Sequence, residues 1–240
     1  MKLKKLLALL LALVMVFSLA ACAAKDKDDE KEDEKTEQTD KKDDAEEEDK
    51  DDKEPAPAAK DYTALVDCFK SFTANPSMKG FAELAGGDLA GDAMYEFLQA
   101  YMALVGMSED DFVDMAAADY ENVSVTDSSA EPLTEDELAE YQAEADEVAA
   151  GFKSMIEDVT GTTDEEWEEI ASQFGMSADE AKALGEDIVS ALQKLVDLTE
   201  NLKIDEGQRV TIVTDQGEEE FCFFLSGGKW FSDGLMEMQF

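Results

Sequence analysis

Three thiols, Cys22, Cys68 and Cys222, are the residues of this 240-residue chain best suited to covalent chemistry. A thiol can be acylated, can pair into a disulfide, or can attack a substrate once a neighbouring base ionises it. The third use lacks its usual partner, because the chain contains no histidine. Ser-His-Asp and Cys-His catalysis, histidine-ligated zinc and a histidine pH switch are excluded with it. No C-x-x-C pair is present. Cys68 falls on the apolar side of the first helical pattern and Cys222 in a C-terminal hairpin. Two readings stay open for them: a bridge tying the first element of the domain to the last, and a pair of buried thiols.

Cys22 has a different setting. Lys2, Lys4 and Lys5 form a positive start and Leu6–Phe17 an apolar run of the length a secretory signal uses. Ser18 then leads into Leu19-Ala20-Ala21-Cys22. This stretch resembles the bacterial lipobox, in which a Leu and small residues precede a Cys that is diacylated before the preceding bond is cut. The resemblance implies that residues 1–21 are a signal peptide and that Cys22, carrying two acyl chains, becomes the mature N-terminus. Two chains are enough for stable anchoring, where a single one is marginal. An uncleaved signal-anchor helix is the alternative, since Leu6–Ala24 is almost long enough to span a bilayer. Either way the rest of the chain lies on the extracytoplasmic face of the membrane, with the three lysines retained inside.

The other constellations reduce to local structure. Asp164-Glu165-Glu166 with Glu168 and Glu169 offers paired carboxylates of the kind that hydrolyse sugars. Their place in the first turns of a helix accounts for them through the helix dipole. Ser226-Gly-Gly-Lys229 matches the bare S-x-x-K pattern of some acyl enzymes, but here it reads as a hairpin turn. Gly86–Gly91 lacks the spacing and the Lys-Ser or Lys-Thr of a phosphate loop, and no calcium-binding helix-loop-helix pattern occurs. Trp167, Trp230 and Phe231 suit a core better than a binding groove. Arg209, the only arginine, is expected to form a surface ion pair with Glu219 and Glu220; the alternative is an anchor for an anionic ligand.

Charge sets the remaining limits. The chain carries 60 acidic and 20 basic residues, a formal net charge of -40. Residues 61–240 hold 42 of the acidic residues and only 8 of the basic ones, so the acidity belongs to the folded part. Such a surface opposes nucleic acid and anionic lipid and attracts cations or a cationic partner. Within 22–60, Lys25–Lys60 has no aromatic or large aliphatic residue and ends in Pro55-Ala56-Pro57. It cannot bury apolar surface and is expected to be a disordered charged linker. At about 3.3 Å per residue it reaches on the order of 120 Å.

From Asp61 the periodicity becomes helical. Tyr62, Leu65, Val66, Phe69 and Phe72 mark a helix over Asp61–Ala74, stopped by Asn75-Pro76. A short turn or helix over Ser77–Ala85 reaches Gly86-Gly87, and Leu89–Val105 carries a second strong amphipathic helix. Ser108 with Asp111 begins a brief third. Tyr120–Thr126 alternates and predicts a short strand ending at Asp127-Ser128-Ser129. Capping boxes at Thr134/Glu137, Thr163/Glu166 and Ser177/Glu180 open three more helices. The first of these carries a seam of Leu138, Tyr141, Ala145, Val148, Phe152, Met155 and Val159. The last carries one of Leu184, Ile188, Ala191, Leu195, Leu198 and Leu202, and the two are expected to pack antiparallel. Gly151 and Gly185 are expected to interrupt them.

The C-terminus predicts a β-meander of Gln208–Thr214, Glu218–Leu225 and a strand from Lys229. Gly217 supplies a positive-φ position in the first turn. In that register Thr214 faces Glu218, Val210 and Ile212 share a face with Cys222 and Phe224, and Phe221 and Phe223 point the other way. Apolar residues on both faces require cover on both: helices on one, a pocket or the protein's own loops on the other.

The stretch Glu220-Phe-Cys-Phe-Phe-Leu-Ser-Gly-Gly-Lys-Trp-Phe231, after helices, a strand and more helices, resembles extracytoplasmic lipoproteins of Gram-positive bacteria. Many of these end in a hairpin closing on Gly-Lys-Trp-aromatic within cone-like folds similar to the nuclear-transport-factor-2 or cystatin-like group. The chain departs from that pattern by its larger helical middle, Thr134–Lys203. The resemblance implies a shape and no reaction.

The expectation is therefore an α+β, helix-rich domain over 61–240 with a short antiparallel sheet, behind a signal peptide and a linker. No enzymatic activity and no cofactor are expected. Binding of divalent cations or a basic cell-envelope protein is the leading role, and a structural or assembly factor docking through the helical pair is the alternative. About 180 residues are too few for a two-lobed transporter-binding protein.

Overall fold

The computed structural model describes residues 61–116, 120 and 123–236. The signal segment 1–21, Cys22 and the linker lie outside them. Six helices and four strands follow in the order α1 (Thr63–Ala74), α2 (Met78–Leu104), α3 (Glu109–Ala116), β1 (Val125–Pro132), α4 (Glu135–Thr160), α5 (Asp164–Phe174), α6 (Ala178–Thr199), β2 (Glu206–Thr214), β3 (Glu218–Ser226) and β4 (Lys229–Ser232). A short 3-10 turn, Asp233–Leu235, closes the described chain. The α+β class is as expected: a helix-rich domain with a sheet drawn mainly from the C-terminal meander. The sheet is antiparallel throughout, in the order β1-β2-β3-β4.

All three capping boxes form. The hydroxyls of Thr134, Thr163 and Ser177 accept from the backbone N–H groups of Glu137, Glu166 and Glu180, and each glutamate reaches back to its cap. Ser77 caps α2 through the Gly80 N–H, and Ser108 caps α3 through that of Asp111. Gly175, at φ 74°, ends α5 in the left-handed conformation that favours glycine.

The helical layer has α6 at its centre, packed on both α2 and α4. Leu192 and Leu195 are wholly buried there, and the α4 seam is buried at Ala145, Val148, Phe152 and Met155. Gln142, in the N-terminal half of α4, donates to the Leu202 carbonyl and accepts from the Ile204 N–H, both just beyond the end of α6. The two helices therefore run antiparallel, as predicted. Gly151 and Gly185 do not interrupt them. A Cβ at Gly185 would stand 2.5 Å from the Trp167 ring, so this glycine lets α5 lie close on α6. Gly87 permits a close approach too, and it also bends its helix. At φ 54°, ψ -149° it kinks α2, and a Cβ there would meet the Trp230 carbonyl at 2.3 Å. Just before the kink the Leu84 and Ala85 carbonyls share the Ser232 hydroxyl of β4 as donor, at 2.9 and 3.2 Å.

The sheet differs from expectation in three respects. β1 starts at Val125 and continues through Asp127-Ser128-Ser129, the residues expected to end it, with a bulge between Val125 and Asp127. As an edge strand paired only with β2, it needs little apolar content. Residues 121 and 122 of the predicted strand lie outside the described residues.

The first hairpin is tighter by one residue. Val213 faces Glu218, and Thr214 N–H donates to the Gly217 carbonyl at 2.7 Å. The Thr214 hydroxyl accepts from the Gln216 and Gly217 N–H groups, so the side chain closes the turn and Gly217 does not take a positive φ. A one-residue change of register reverses every side chain. Val210 and Ile212 consequently share their face with Phe223, Leu225 and Trp230, while Cys222, Phe224 and Phe231 face the helical layer.

The second face is closed mainly by a further helix, with Tyr120 of the α3–β1 connection packed beside it. That helix is α1, with Leu65, Val66 and Phe69 at most 2 % exposed. Each such side chain contributes about 1.5–3 kcal/mol on burial. In the second turn Gly227 and Gly228 have φ 56° and 81°, the pair a two-residue I′ hairpin requires.

Candidate functional site

Where β2 and β3 pass under the start of α4, polar side chains gather on the helical side of the sheet. Arg209 lies opposite Cys222, and its guanidinium reaches Glu137 Oε1 at 2.8 Å and Glu220 Oε1 at 3.3 Å. Glu219, the other expected partner, is on the opposite face, across from Ile212, where burial raises its carboxyl above the ordinary range. Glu137 takes its place because its two oxygens are divided: Oε2 accepts from the Thr134 N–H and hydroxyl, and Oε1 faces the arginine. The Thr134 hydrogen bonds first, and Arg209 second, hold the Glu137 carboxyl at about 2. With its Nε and one terminal nitrogen on carboxylates, Arg209 is an ion-pair residue.

Across from Arg209 on β3, the Cys222 thiol shares a hydrogen bond of 3.1 Å with the Tyr141 hydroxyl. The Cys222 N–H donates to Asp233 Oδ2 at 2.8 Å. Cys222 is 3 % exposed, and burial pushes its thiol up to about 12. Burial likewise raises Tyr141, followed by its bond to Cys222. Both groups stay protonated near neutral pH, so they supply packing and a satisfied hydrogen bond without a nucleophile or base.

The thiols are not bridged. Cys68 and Cys222 are free, and they belong to the two opposite sides of the sheet: Cys68 packs with the α1 cluster, Cys222 with the helical layer. The sheet between them is the physical reason the bridge reading fails. Burial, with Glu83 and Asp88 nearby, pushes Cys68 up to about 12 as well. Cys22, the lipidation residue, lies outside the described residues. Trp167, Trp230 and Phe231 are all buried core side chains.

The surface is where the chain's charge is expressed. Of the eight basic residues in 61–240, six are engaged in ion pairs. Four of these tie different elements together: Lys153 to Glu200, Lys182 to Asp164, Lys194 to Glu96 and Arg209 to Glu137. Residues 135–200 hold twenty carboxylates against three lysines, all three paired. Positive charge is thus spent on internal ties and the outside of α4–α6 is left negative. Among the described residues no three Cys, Asp or Glu side chains converge as a metal-holding group. No described helix is long and apolar enough to cross a membrane.

Sequence patterning identified Arg209, Glu220 and Cys222 but missed Glu137, Tyr141 and Asp233 as their partners. One signal was available: Glu137 precedes Tyr141 by four residues, which puts both on the side of α4 that meets the sheet. No protein-family model, curated protein or solved structure matches this chain significantly.

Proposed function

We propose that this protein is a non-enzymatic lipoprotein, anchored through acylated Cys22 on the extracytoplasmic face of the membrane, whose acidic domain binds a cationic partner. The lipobox resemblance at Leu19–Cys22 supports the location. The distribution of charge over α4–α6 supports the partner class: three lysines committed to ion pairs, twenty carboxylates around them. Carboxylates spread along three helices suit an extended basic segment of an envelope protein, or a diffuse layer of divalent cations, better than one coordinated ion. The charged linker would hold that surface away from the membrane. The assembly-factor alternative gains less support, because the seams of α4 and α6 are buried inside the domain rather than offered for docking.

Titration of the full-length protein with a decalysine peptide tests the partner class. The expected result is salt-sensitive binding that is lost in a Glu140→Lys, Glu144→Lys, Glu147→Lys variant; undiminished binding by that variant refutes the assignment. Melting in calcium or magnesium against sodium at equal ionic strength tests the divalent form, and equal shifts refute it. Cys22→Ser is expected to release the protein from the membrane fraction, and retention of the variant there would count against lipid anchoring.

A further inference from the structure

The chain's two clusters of buried side chains are held in different ways. Around the helical cluster, polar ties cross between elements: Lys194–Glu96, Lys153–Glu200, Arg209–Glu137, Gln142 to Leu202 and Ile204, and Tyr141–Cys222; on the other face Ser232 ties β4 to the α2 kink. For α1 the hydrogen bonds and ion pair are internal or with its immediate neighbours: Lys70 with Asp67, Ser71 with the Asp67 carbonyl, Thr63 N–H with Asp61. Among the described residues, none joins Thr63–Ala74 to another element. The nearest is Tyr62, just before the helix, whose hydroxyl reaches the Ser128 carbonyl at 3.4 Å.

Cluster membership points the same way. Leu65, Val66 and Phe69 are the only fully buried members of the second cluster that do not come from the sheet. In the helical cluster α1 is represented by Phe72 alone, buried against Phe81 and Tyr120. Lifting α1 off would uncover the sheet face that carries Val210, Ile212 and Phe223, with Trp230 still against the α2 kink, while leaving nearly all of the helical core in place.

We infer that α1 is a releasable cover, a helix that opens as a unit from the second face of the sheet while the helical layer and the sheet stay folded. Contacts without direction or charge are lost together once a short helix tilts away, and local opening below the global free energy is expected where such contacts are the whole attachment. The chain enters the fold through α1, so any pull on residues 1–60 acts on this cover first. Opening converts a closed domain into one presenting a flat apolar sheet face.

Native-state amide hydrogen exchange of the full-length protein, followed at increasing low denaturant, tests this. Amides of residues 67–74 are expected to exchange at least about tenfold faster than those of residues 188–196 in α6, with a shallower denaturant slope because less surface is exposed. Equal protection and equal slope would overturn the inference. In a Leu65→Asp variant the α1 amides should lose protection and an apolar dye should bind, while protection in α6 changes less than about tenfold. Equal loss of protection in α6, or complete unfolding, would show that α1 belongs to the global cooperative unit.

Discussion

On one face of the sheet Cys222, Phe224 and Phe231 lie under a helical layer whose members are also joined to the sheet and to one another by charged and hydrogen-bonding side chains. On the other face Val210, Ile212, Phe223, Leu225 and Trp230 lie under α1, which meets them with carbon surface, and Trp230 also lies against the kink of α2. The cross-element ion pairs and the Tyr141–Cys222 bond are on the helical side, while on the second face the Ser232 hydroxyl meets the α2 carbonyls and the Tyr62 hydroxyl meets the Ser128 carbonyl, neither of them a tie from within α1. Hydrophobic burial sets how much free energy a face contributes, whereas directional ties set whether its elements must move together. A chain with eight basic residues in its folded part cannot tie everything, and most of its cross-element ion pairs are placed on the helical side.

Truncation in each core separates the two faces most strongly. Phe224 is fully buried against Tyr141 and Phe231, at centroid distances of 4.9 and 5.2 Å. Phe224→Ala is expected to cost about 3–5 kcal/mol in urea unfolding, with all spectroscopic probes shifting together. Phe69, equally buried and in contact with Phe221 at 5.5 Å, belongs to the cover. Phe69→Ala is expected to cost less than about 3 kcal/mol, because release of α1 limits what the cavity can cost. Equal losses at the two sites would erase the distinction between the faces.

Gly185→Ala places a methyl 2.5 Å from the Trp167 ring and is expected to destabilise the α5–α6 contact by about 1–3 kcal/mol, read as a fall in melting temperature. A smaller effect, opposite on the two faces, is expected with pH. Glu137 is held at about 2 against an ordinary 4.5, so its contribution is complete above pH 4.5 and is lost as pH falls through about 2. Glu219 is raised by burial, so the folded state prefers its protonated form. Its contribution is present below the ordinary value and is lost as pH rises through the raised one. Carboxyl NMR titration should show Glu137 moving up more in Thr134→Ala than in Arg209→Met, since the cap dominates the shift. It should also show Glu219 titrating above its ordinary value, and a Glu219 that titrates normally would remove the contrast.

What was legible in the sequence is what short-range chemistry decides. Ser or Thr followed three residues later by Glu located the start of α4, α5 and α6, because both hydrogen bonds of a capping box lie within four residues. The seams of α4 and α6 identified buried positions, since a helix turns the same residues inward whatever lies opposite. The acidity of the surface and the absence of histidine chemistry follow from composition alone.

Only the tertiary structure decided the rest. The Thr214 hydroxyl, rather than a left-handed Gly217, set the first turn, and one residue of register exchanged the faces of Val210 and Cys222. β1 became a strand through its pairing with β2, which lies beyond three intervening helices in the chain. Arg209 met Glu137 because β2 passes beneath the start of α4. α1 and its Cys68 went to the face opposite Cys222, which kept the two thiols apart. Each of these outcomes depends on contacts between segments far apart in the chain, where local propensity and spacing carry no information about which partner will arrive.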